Sequence, residues 1–507
     1  TRMPSLFLSL IKNMYEDDEY ILLDGDKKAH VRPTRGVKQG CPLSPLLFSL
    51  YINDIDQIAE DIQGAVAGDG EYRVTHMLYA DDLCLTVNDP EQMQKMLDRL
   101  HGYSQRKGLV VNVGKSEVVH FNSKRGCRSL PTFLYDGKPL VRSDSFRYLG
   151  MVFTHNLNLE VAAEHAVRPY LAALQRVKNV AKTYKLSDRP DAMIWLSKVY
   201  AVSAGMYGSQ VWGTRYLRAG TEFDSRLQKQ HLCFLRRVLG VKRTTSNWCV
   251  LRECGQDALQ FYWFRAAIRF FNSSIESNSY AMKRTLHADL KLSARSKHCW
   301  SAHVLQAFRD LDGADVYRDT LLGALPFHLQ NFAADVRYRH QTVWRAADGL
   351  DPRMHGKKSV AYQNWFAVPM RCEGEKGPLM PLPGYMRTDL PKQVRRNVSC
   401  FRLQAHRLRV ETARFSEGAS NLCDKCGTGD VQDEKHVLFH CSCGEACDLR
   451  VKYTDLFDGV QCSHGLSAIP FLPVPECVDD NTMTDFLGQD SVRLYKYVSD
   501  ILMVFTD

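Results

Sequence analysis

Apolar residues recur at helical spacing from the start of the chain, where Leu6, Leu10, Ile11 and Met14 form one stripe. Glu19 to Leu23 then reads as a strand, and a glycine- and proline-punctuated loop runs from Gly25 to Pro45. Leu47, Tyr51, Ile55 and Ile58 predict one helix face. Tyr72, Val74 and Leu78 alternate as a strand does, and Leu83, Leu85 and Val87 mark a second strand, so the two predict a hairpin around Asp81-Asp82. Asp89-Pro90 opens a helix in the capped, proline-first manner; Met93, Met96, Leu100 and Tyr103 line its buried face and Gly108 stops it. Asp136-Gly137 signals another tight hairpin. From about Asn158 to Asn278 the pattern is almost wholly helical. Residues 301–420 parse less cleanly, interrupted by a Pro/Gly-rich stretch from Pro369 to Pro391.

Composition narrows the class. Hydrophobic residues make up 45% and charged residues 24% of 507, which excludes wholesale disorder and collagen-like repeats. No apolar run approaches the ~18 residues of a membrane helix, so no membrane partner is expected. The net charge of +9 is uneven: residues 452–507 carry three basic and nine acidic side chains, leaving +15 on residues 1–451. That excess suits a polyanionic partner and predicts salt-sensitive binding. The 16 cysteines follow no secreted framework, which points to a reducing intracellular compartment, nucleus or cytoplasm. Five of them fall between Cys423 and Cys447, and that clustering calls for a chemical reason.

Tyr79-Ala80-Asp81-Asp82 lies inside the predicted apolar hairpin. Adjacent acids between such strands are electrostatically costly unless cations sit there, and Mg²⁺ prefers carboxylates and substrate phosphates. A bare Asp-Asp pair is usually an ordinary turn. Tyr15-Glu16-Asp17-Asp18, which shares the letters, reads as a solvated connector because a helix precedes it and Glu19 extends the acidic run. The second copy has company. Upstream, Arg35-Gly36-Val37-Lys38-Gln39-Gly40 combines two glycines that permit close backbone approach with two cations for phosphates and one amide for a sugar or base edge. Downstream stand Gly108 to Asn112, then Lys115-Ser116, and a last hairpin carries Phe146-Arg147-Tyr148-Leu149-Gly150.

In this order the segments resemble the palm of a reverse transcriptase of the non-LTR (LINE-type) retrotransposon family, over about residues 4–154. The resemblance implies that Asp81 is a metal ligand with Asp82 its neighbour. It also implies that Arg35, Gly36, Lys38, Gln39, Gly40 and Tyr79 line the nucleotide and template, that Lys115 sits near the phosphates, and that Tyr148, Leu149 and Gly150 grip the primer. RNA template, DNA primer or target, and deoxynucleoside triphosphates are the implied partners, with Mg²⁺ at a two-metal site. Tyr207 to Gly213 and Leu239-Gly240 to Gly255 resemble the helical region after the palm in these elements, although their aromatics read as core packing. In the family a further catalytic Asp lies on a strand before the first helix seen here. That strand and the fingers would precede Thr1, so the resemblance implies an N-terminally truncated fragment, inactive alone. The alternative is a non-catalytic RNA- or DNA-binding protein on a decayed polymerase scaffold. A group II intron maturase shares the Tyr-Ala-Asp-Asp palm.

A C-terminal Cys/Cys/His/Cys knuckle disfavours that last reading. Cys423-x2-Cys426-x9-His436-x4-Cys441 has the ligand types and spacing of a structural Zn²⁺ site. His440, Cys443 and Cys447 are alternative fourth ligands, with Cys441 preferred on spacing and resemblance. Val437, Leu438 and Phe439 are too few for a metal-free core, so metal loss is expected to unfold the segment. Residues 371–420 hold ten basic side chains against five acidic ones, and Arg395, Arg396, Arg402, Arg407 and Arg409 are read as a phosphate-facing strip. The expected fold is α+β: a truncated polymerase palm of antiparallel sheet and helices (1–154), an all-helical thumb-like region (155–300), a basic connector (301–420), a small C-terminal zinc knuckle (421–450) and an acidic tail (451–507).

Overall fold

A computed structural model describes residues 4–16, 19–67, 72–121, 131–350, 361–362, 364–366, 382–415, 418–458, 466–469, 472–475 and 478–506. Asp17 and Asp18 of the rejected motif, and most of the Pro/Gly-rich stretch, lie outside the described residues. The chain divides into two compact units: residues 1–118 with 126–143, and 119–125 with 144–507.

The first unit begins with α1 (Ser5–Glu16) and the hairpin β1 (Tyr20–Asp24) and β2 (Lys27–Val31), whose residues are nearly all exposed. Helix α2 (Ser44–Tyr51) ends early, and a 3₁₀ turn over Ile55–Ala59 replaces the continuous helix expected through Ile58. The break has a polar cause. The Asp54 carboxylate accepts from the Tyr103 hydroxyl at 2.8 Å and pairs with the Lys107 ammonium at 2.9 Å, tying the connector to the far end of α3 (Pro90–Arg106). Hydrogen bonds from Lys107 and Tyr103 hold the Asp54 carboxyl below its usual range.

The expected strand from Tyr72 to Leu78 is two strands. β4 (Tyr72–Val74) pairs with β3 (Ala65–Ala67), and β5 (His76–Tyr79) pairs with β6 (Asp82–Leu85). Helix α3 starts with Asp89 accepting from the Glu91 amide. It stops at left-handed Gly108 (φ 61°), with Leu109 N donating to Ser104 O and Gly108 N to Gln105 O. β7 (Glu117–Val118), β8 (Leu134–Tyr135), β9 (Lys138–Pro139) and β10 (Val141–Arg142) complete the unit, with Asp136 and Gly137 both at positive φ in the β8–β9 turn. Ile55, Ile58, Met96, Leu100, Tyr103, Phe133 and Tyr135 form its core. An antiparallel sheet with helices was expected, and small antiparallel pairings with helices are present. The described strands form two-stranded ribbons, and the β7–β10 pair is parallel.

The second unit opens with the hairpin β11 (Ser145–Tyr148) and β12 (Met151–Thr154), followed by α4 (Leu159–Thr183). Helices dominate as far as Glu276, as the periodicity predicts. One core then runs from Ala162 to Phe505. Residues 301–420 and 451–507, expected as connector and tail, thus do not stand apart: Phe308, Phe332, Phe401, Phe486 and Tyr497 are all buried in that core. Among the described residues the tail's acidic side chains are exposed or half-buried, while Leu494, Tyr497, Val498, Ile501 and Phe505 pack inward at helical spacing along Val492–Thr506.

The core also buries a polar knot. Glu253 is fully buried and accepts from Arg402 Nε at 2.6 Å, Tyr385 at 2.7 Å and Tyr362 at 2.8 Å. The Arg402 guanidinium stacks 4.1 Å over the Phe366 ring.

Candidate active site and metal centre

The β5–β6 hairpin has a half-buried foot and an exposed tip. Leu83 and Leu85 pack on the first unit's core, and His76 Nε2 lies 3.0 Å from Asp56 Oδ1 at the foot. Tyr79 pairs with Asp82 in register, leaving Ala80 and Asp81 as the two-residue turn. Ala80 holds φ at 51°, a left-handed conformation that costs a non-glycine residue about 1 kcal/mol. Tyr79, Asp81 and Asp82 are exposed there. Neither carboxylate has an ion pair or side-chain hydrogen bond among the described residues, and no third carboxylate gathers with them. Two unpaired, adjacent carboxylates are hard oxygen donors of the kind Mg²⁺ takes.

In the upstream loop, Gly36 (φ 94°) and Gly40 (φ 80°) occupy conformations open to glycine. The Ser44 hydroxyl donates to Lys38 O at 2.5 Å, and the Lys38 ammonium sits 5.4 Å from the Tyr15 ring. Arg35, Gln39 and Lys115 are exposed, and among the described residues none is bonded to Asp81 or Asp82.

In the second unit, Leu149 (φ 48°) and Gly150 (φ 80°) form the β11–β12 turn beside Tyr148. The Tyr207 hydroxyl donates to Leu149 O, and a Cβ on Gly150 would meet the Tyr207 ring at 3.2 Å. Gly208 (φ 70°) is packed more tightly still, since a Cβ there would lie 2.6 Å from Met151 Sδ. Tyr207-Gly208 is therefore a cradle for this turn, a role the sequence reading missed by treating its aromatics as core. Trp212 does fit that reading: it is buried, edge-on to Trp263.

Cys423, Cys426, His436 and Cys441 offer ligand atoms that all lie within 4.8 Å of one another. Tetrahedral zinc with bonds of ~2.3 Å to sulfur and ~2.05 Å to nitrogen demands edges of ~3.8 Å (S–S) and ~3.6 Å (S–N). The Cys423–Cys441 sulfurs are 3.8 Å apart and Cys426 Sγ is 3.4 Å from His436 Nε2. The donor set therefore fits, and the cluster could hold zinc. Behind it, His436 Nδ1 faces Asp430 Oδ2 at 3.7 Å, the usual orienting carboxylate. Burial pushes the Cys426 thiol up, but hydrogen bonding with Thr428, Cys423 and His436 outweighs it and brings it down to about 6. Gly427 (φ 68°) and Gly429 (φ 81°) turn the loop. His440, Cys443 and Cys447 are not in the cluster.

Two expectations about this region change. Val437, Leu438 and Phe439 are fully buried in the large core, with Phe439 4.9 Å from the Phe486 ring, so they do not depend on metal for a core. The basic strip also divides. Arg395 and Arg402 are turned inward, Arg409 pairs with Asp424 at 2.6 Å, and Arg396 and Arg407 remain exposed.

Residues 2–153 match the family described as reverse transcriptase (RNA-dependent DNA polymerase). They are a reverse transcriptase domain. The chain is 25% identical over 215 residues to a Retrovirus-related Pol polyprotein from type-1 retrotransposable element R2 of Popillia japonica, covering 41% of this chain and 33% of that protein. It is 30% identical over 182 residues to the polyprotein of type-2 element R2DM of Drosophila melanogaster, covering 34% of this chain and 17% of that protein. The RNA-directed DNA polymerase from mobile element jockey, also of Drosophila melanogaster, is 23% identical over 217 residues, or 41% of this chain and 23% of that protein. Through this domain the chain is a relative of the non-LTR retrotransposon reverse transcriptases. It spans a third or less of the length of these relatives, and no solved structure matches it.

Proposed function

We propose that the first unit serves RNA-directed DNA synthesis, with Asp81 and Asp82 as the metal-binding carboxylates. The observation that carries this reading is the tip of the β5–β6 hairpin, where two unpaired acids are exposed within a matched reverse transcriptase domain. Magnesium held there would supply Lewis-acid stabilisation of charge on the transferring phosphoryl group. Gln39 and Gly40 are assigned to the nucleotide and template, Arg35, Lys38 and Lys115 to phosphates, and the Tyr148-Leu149-Gly150 turn to the primer end. RNA template, DNA primer and deoxynucleoside triphosphates are the partners, and among the described residues no helix is long and apolar enough to cross a membrane. Cys423, Cys426, His436 and Cys441 hold one structural zinc, closed by four protein ligands, which catalyses nothing.

Two carboxylates make an incomplete two-metal centre, and among the described residues no third joins them. Extension by this chain alone is therefore slight, and the same observation favours, as second reading, a chain that binds template and primer without chemistry. Equilibrium binding of a deoxynucleoside triphosphate with Mn²⁺ separates the readings. Under the first, Asp81→Asn weakens Mn²⁺-dependent binding at least tenfold; unchanged binding removes Asp81 from the site and leaves the second reading. Robust Asp81-dependent primer extension by the wild-type chain would instead show the centre to be complete.

A further inference from the structure

Residues 225–252 contain seven Lys/Arg and no Asp/Glu, and residues 390–410 contain six and none. The fold brings these two acid-free stretches together, because the helix Arg226–Leu239 packs on the helix Lys392–Arg402. Their closest approach is tight: a Cβ on Gly240 would lie 3.0 Å from Arg396 Cγ, and the Cys400 thiol reaches toward Gly240 O at 4.0 Å. The half-buried Cys400 sits among Arg396, Lys242 and Arg407, all three close enough for their charge to act on its thiol. Arg237, Lys242, Arg243, Arg396 and Arg407 are exposed, and none of them makes an ion pair among the described residues.

Several other basic residues of this unit are neutralised locally, as Arg337 is by Asp257 at 3.0 Å and Arg493 is by Asp455 at 2.5 Å. Unpaired like charges held side by side repel one another, so the patch is an electrostatic cost to the free protein that a polyanion relieves. No large hydrophobic side chain is exposed within 225–252 or 390–410. A protein partner's anchoring pocket and a membrane's apolar insertion both need such side chains. A phosphate backbone needs only the cations.

We infer that Lys242, Arg396 and Arg407, flanked by Arg237 and Arg243, form a phosphate-tracking surface for a nucleic-acid duplex. The inference rests on the nucleic-acid partner of the proposed function, but it needs no chemistry at Asp81. The surface reads backbone charge, not sequence. It also relocates the basic strip: Arg396 and Arg407 act with the loop after Leu239, whereas Arg395 and Arg402 support the core.

The test is the salt dependence of binding between the full chain and a short RNA–DNA hybrid, using the triple variant Lys242→Gln, Arg396→Gln, Arg407→Gln. Three lost phosphate contacts lower the log–log salt slope by about 2.7, and they weaken binding by up to about 500-fold at ~0.1 M salt. A loss of at least about tenfold with a shallower slope is expected, with Arg396→Lys and Arg407→Lys retaining wild-type binding. Neutralising the equally exposed Lys283, Arg309 and Arg318 serves as control. A loss under tenfold, an equal loss in the control, or retained hybrid binding with lost binding to anionic lipid vesicles overturns the proposal. Unchanged circular dichroism shows that the variant is folded. Because Asp81→Asn leaves this surface intact, failure of the polymerase reading and failure of this one are read separately.

Discussion

Replacing Arg402 with methionine would strand a carboxylate inside the protein. Glu253 has no exposed side-chain surface, and Arg402 gives it bonds of 2.6 Å from Nε and 3.2 Å from Nη2. The Tyr362 and Tyr385 hydroxyls also donate to it, but hydroxyl dipoles do not neutralise a charge. Removing one partner of such a buried pair costs about 3–5 kcal/mol, because the remaining charge is uncompensated. The methylene stem and the stacking on Phe366 are mostly retained in Met, so the electrostatic part dominates the change. The double variant Glu253→Gln, Arg402→Met removes the charge as well and should recover about half or more of the loss. Urea unfolding of wild type, both single variants and the double variant measures the coupling. A loss below ~1 kcal/mol for Arg402→Met, or no recovery in the double variant, would refute the buried-pair reasoning. A drop in nucleic-acid affinity without lost stability would return Arg402 to the phosphate-facing strip.

Three further outcomes follow from the structure. Cys426→Ser and Cys441→Ser should each release zinc, measured by metal analysis of the full chain, and hydrogen exchange should speed up across 421–432 while Val437 to Phe439 stay protected; zinc retained in Cys441→Ser would exclude it as a ligand. Burial holds His231 neutral, its pKa down at about 4 against an ordinary 6.5, so the unfolded chain binds the proton first as pH falls. The share of stability tied to His231 is therefore full well above pH 6.5 and falls by about 2–3 kcal/mol towards pH 4.5; denaturation at pH 7.5 and pH 4.5 should show His231→Gln flattening that dependence. Gly208→Ala should cost about 1–3 kcal/mol, since it places a side chain at φ 70° and 2.6 Å from Met151 Sδ, and a thermal shift within error of wild type would contradict the cradle.

Local signals carried furthest where chemistry and backbone agree. Asp81-Asp82 between alternating apolar runs was legible as a hairpin tip, and Asp89-Pro90 and Gly108 marked the ends of α3, because caps and left-handed stops are set by a few adjacent residues. The Cys423, Cys426, His436 and Cys441 cluster, which could hold zinc, was legible because metal geometry constrains spacing directly. Tertiary partners were not. Asp54 interrupts a helical stripe only because Tyr103 and Lys107 lie some fifty residues on, and Thr75 divides a strand whose halves find different partners. Arg402 and Arg396 look alike in sequence, yet one turns inward to Glu253, which lies 149 residues away. Helical periodicity does not say which core a helix joins, so residues 301–420 and 451–507 were read as separate pieces.

Iron-directed cleavage tests the hairpin as a metal site most directly. Fe²⁺ substituted for Mg²⁺, in the presence of a deoxynucleoside triphosphate, ascorbate and peroxide, releases hydroxyl radicals that cut the backbone beside the bound metal. The account predicts cuts within residues 79–83 that disappear in Asp81→Asn, with the zinc cluster left uncut. Cuts elsewhere in the first unit, or cuts at 79–83 that persist without Asp81, would contradict it.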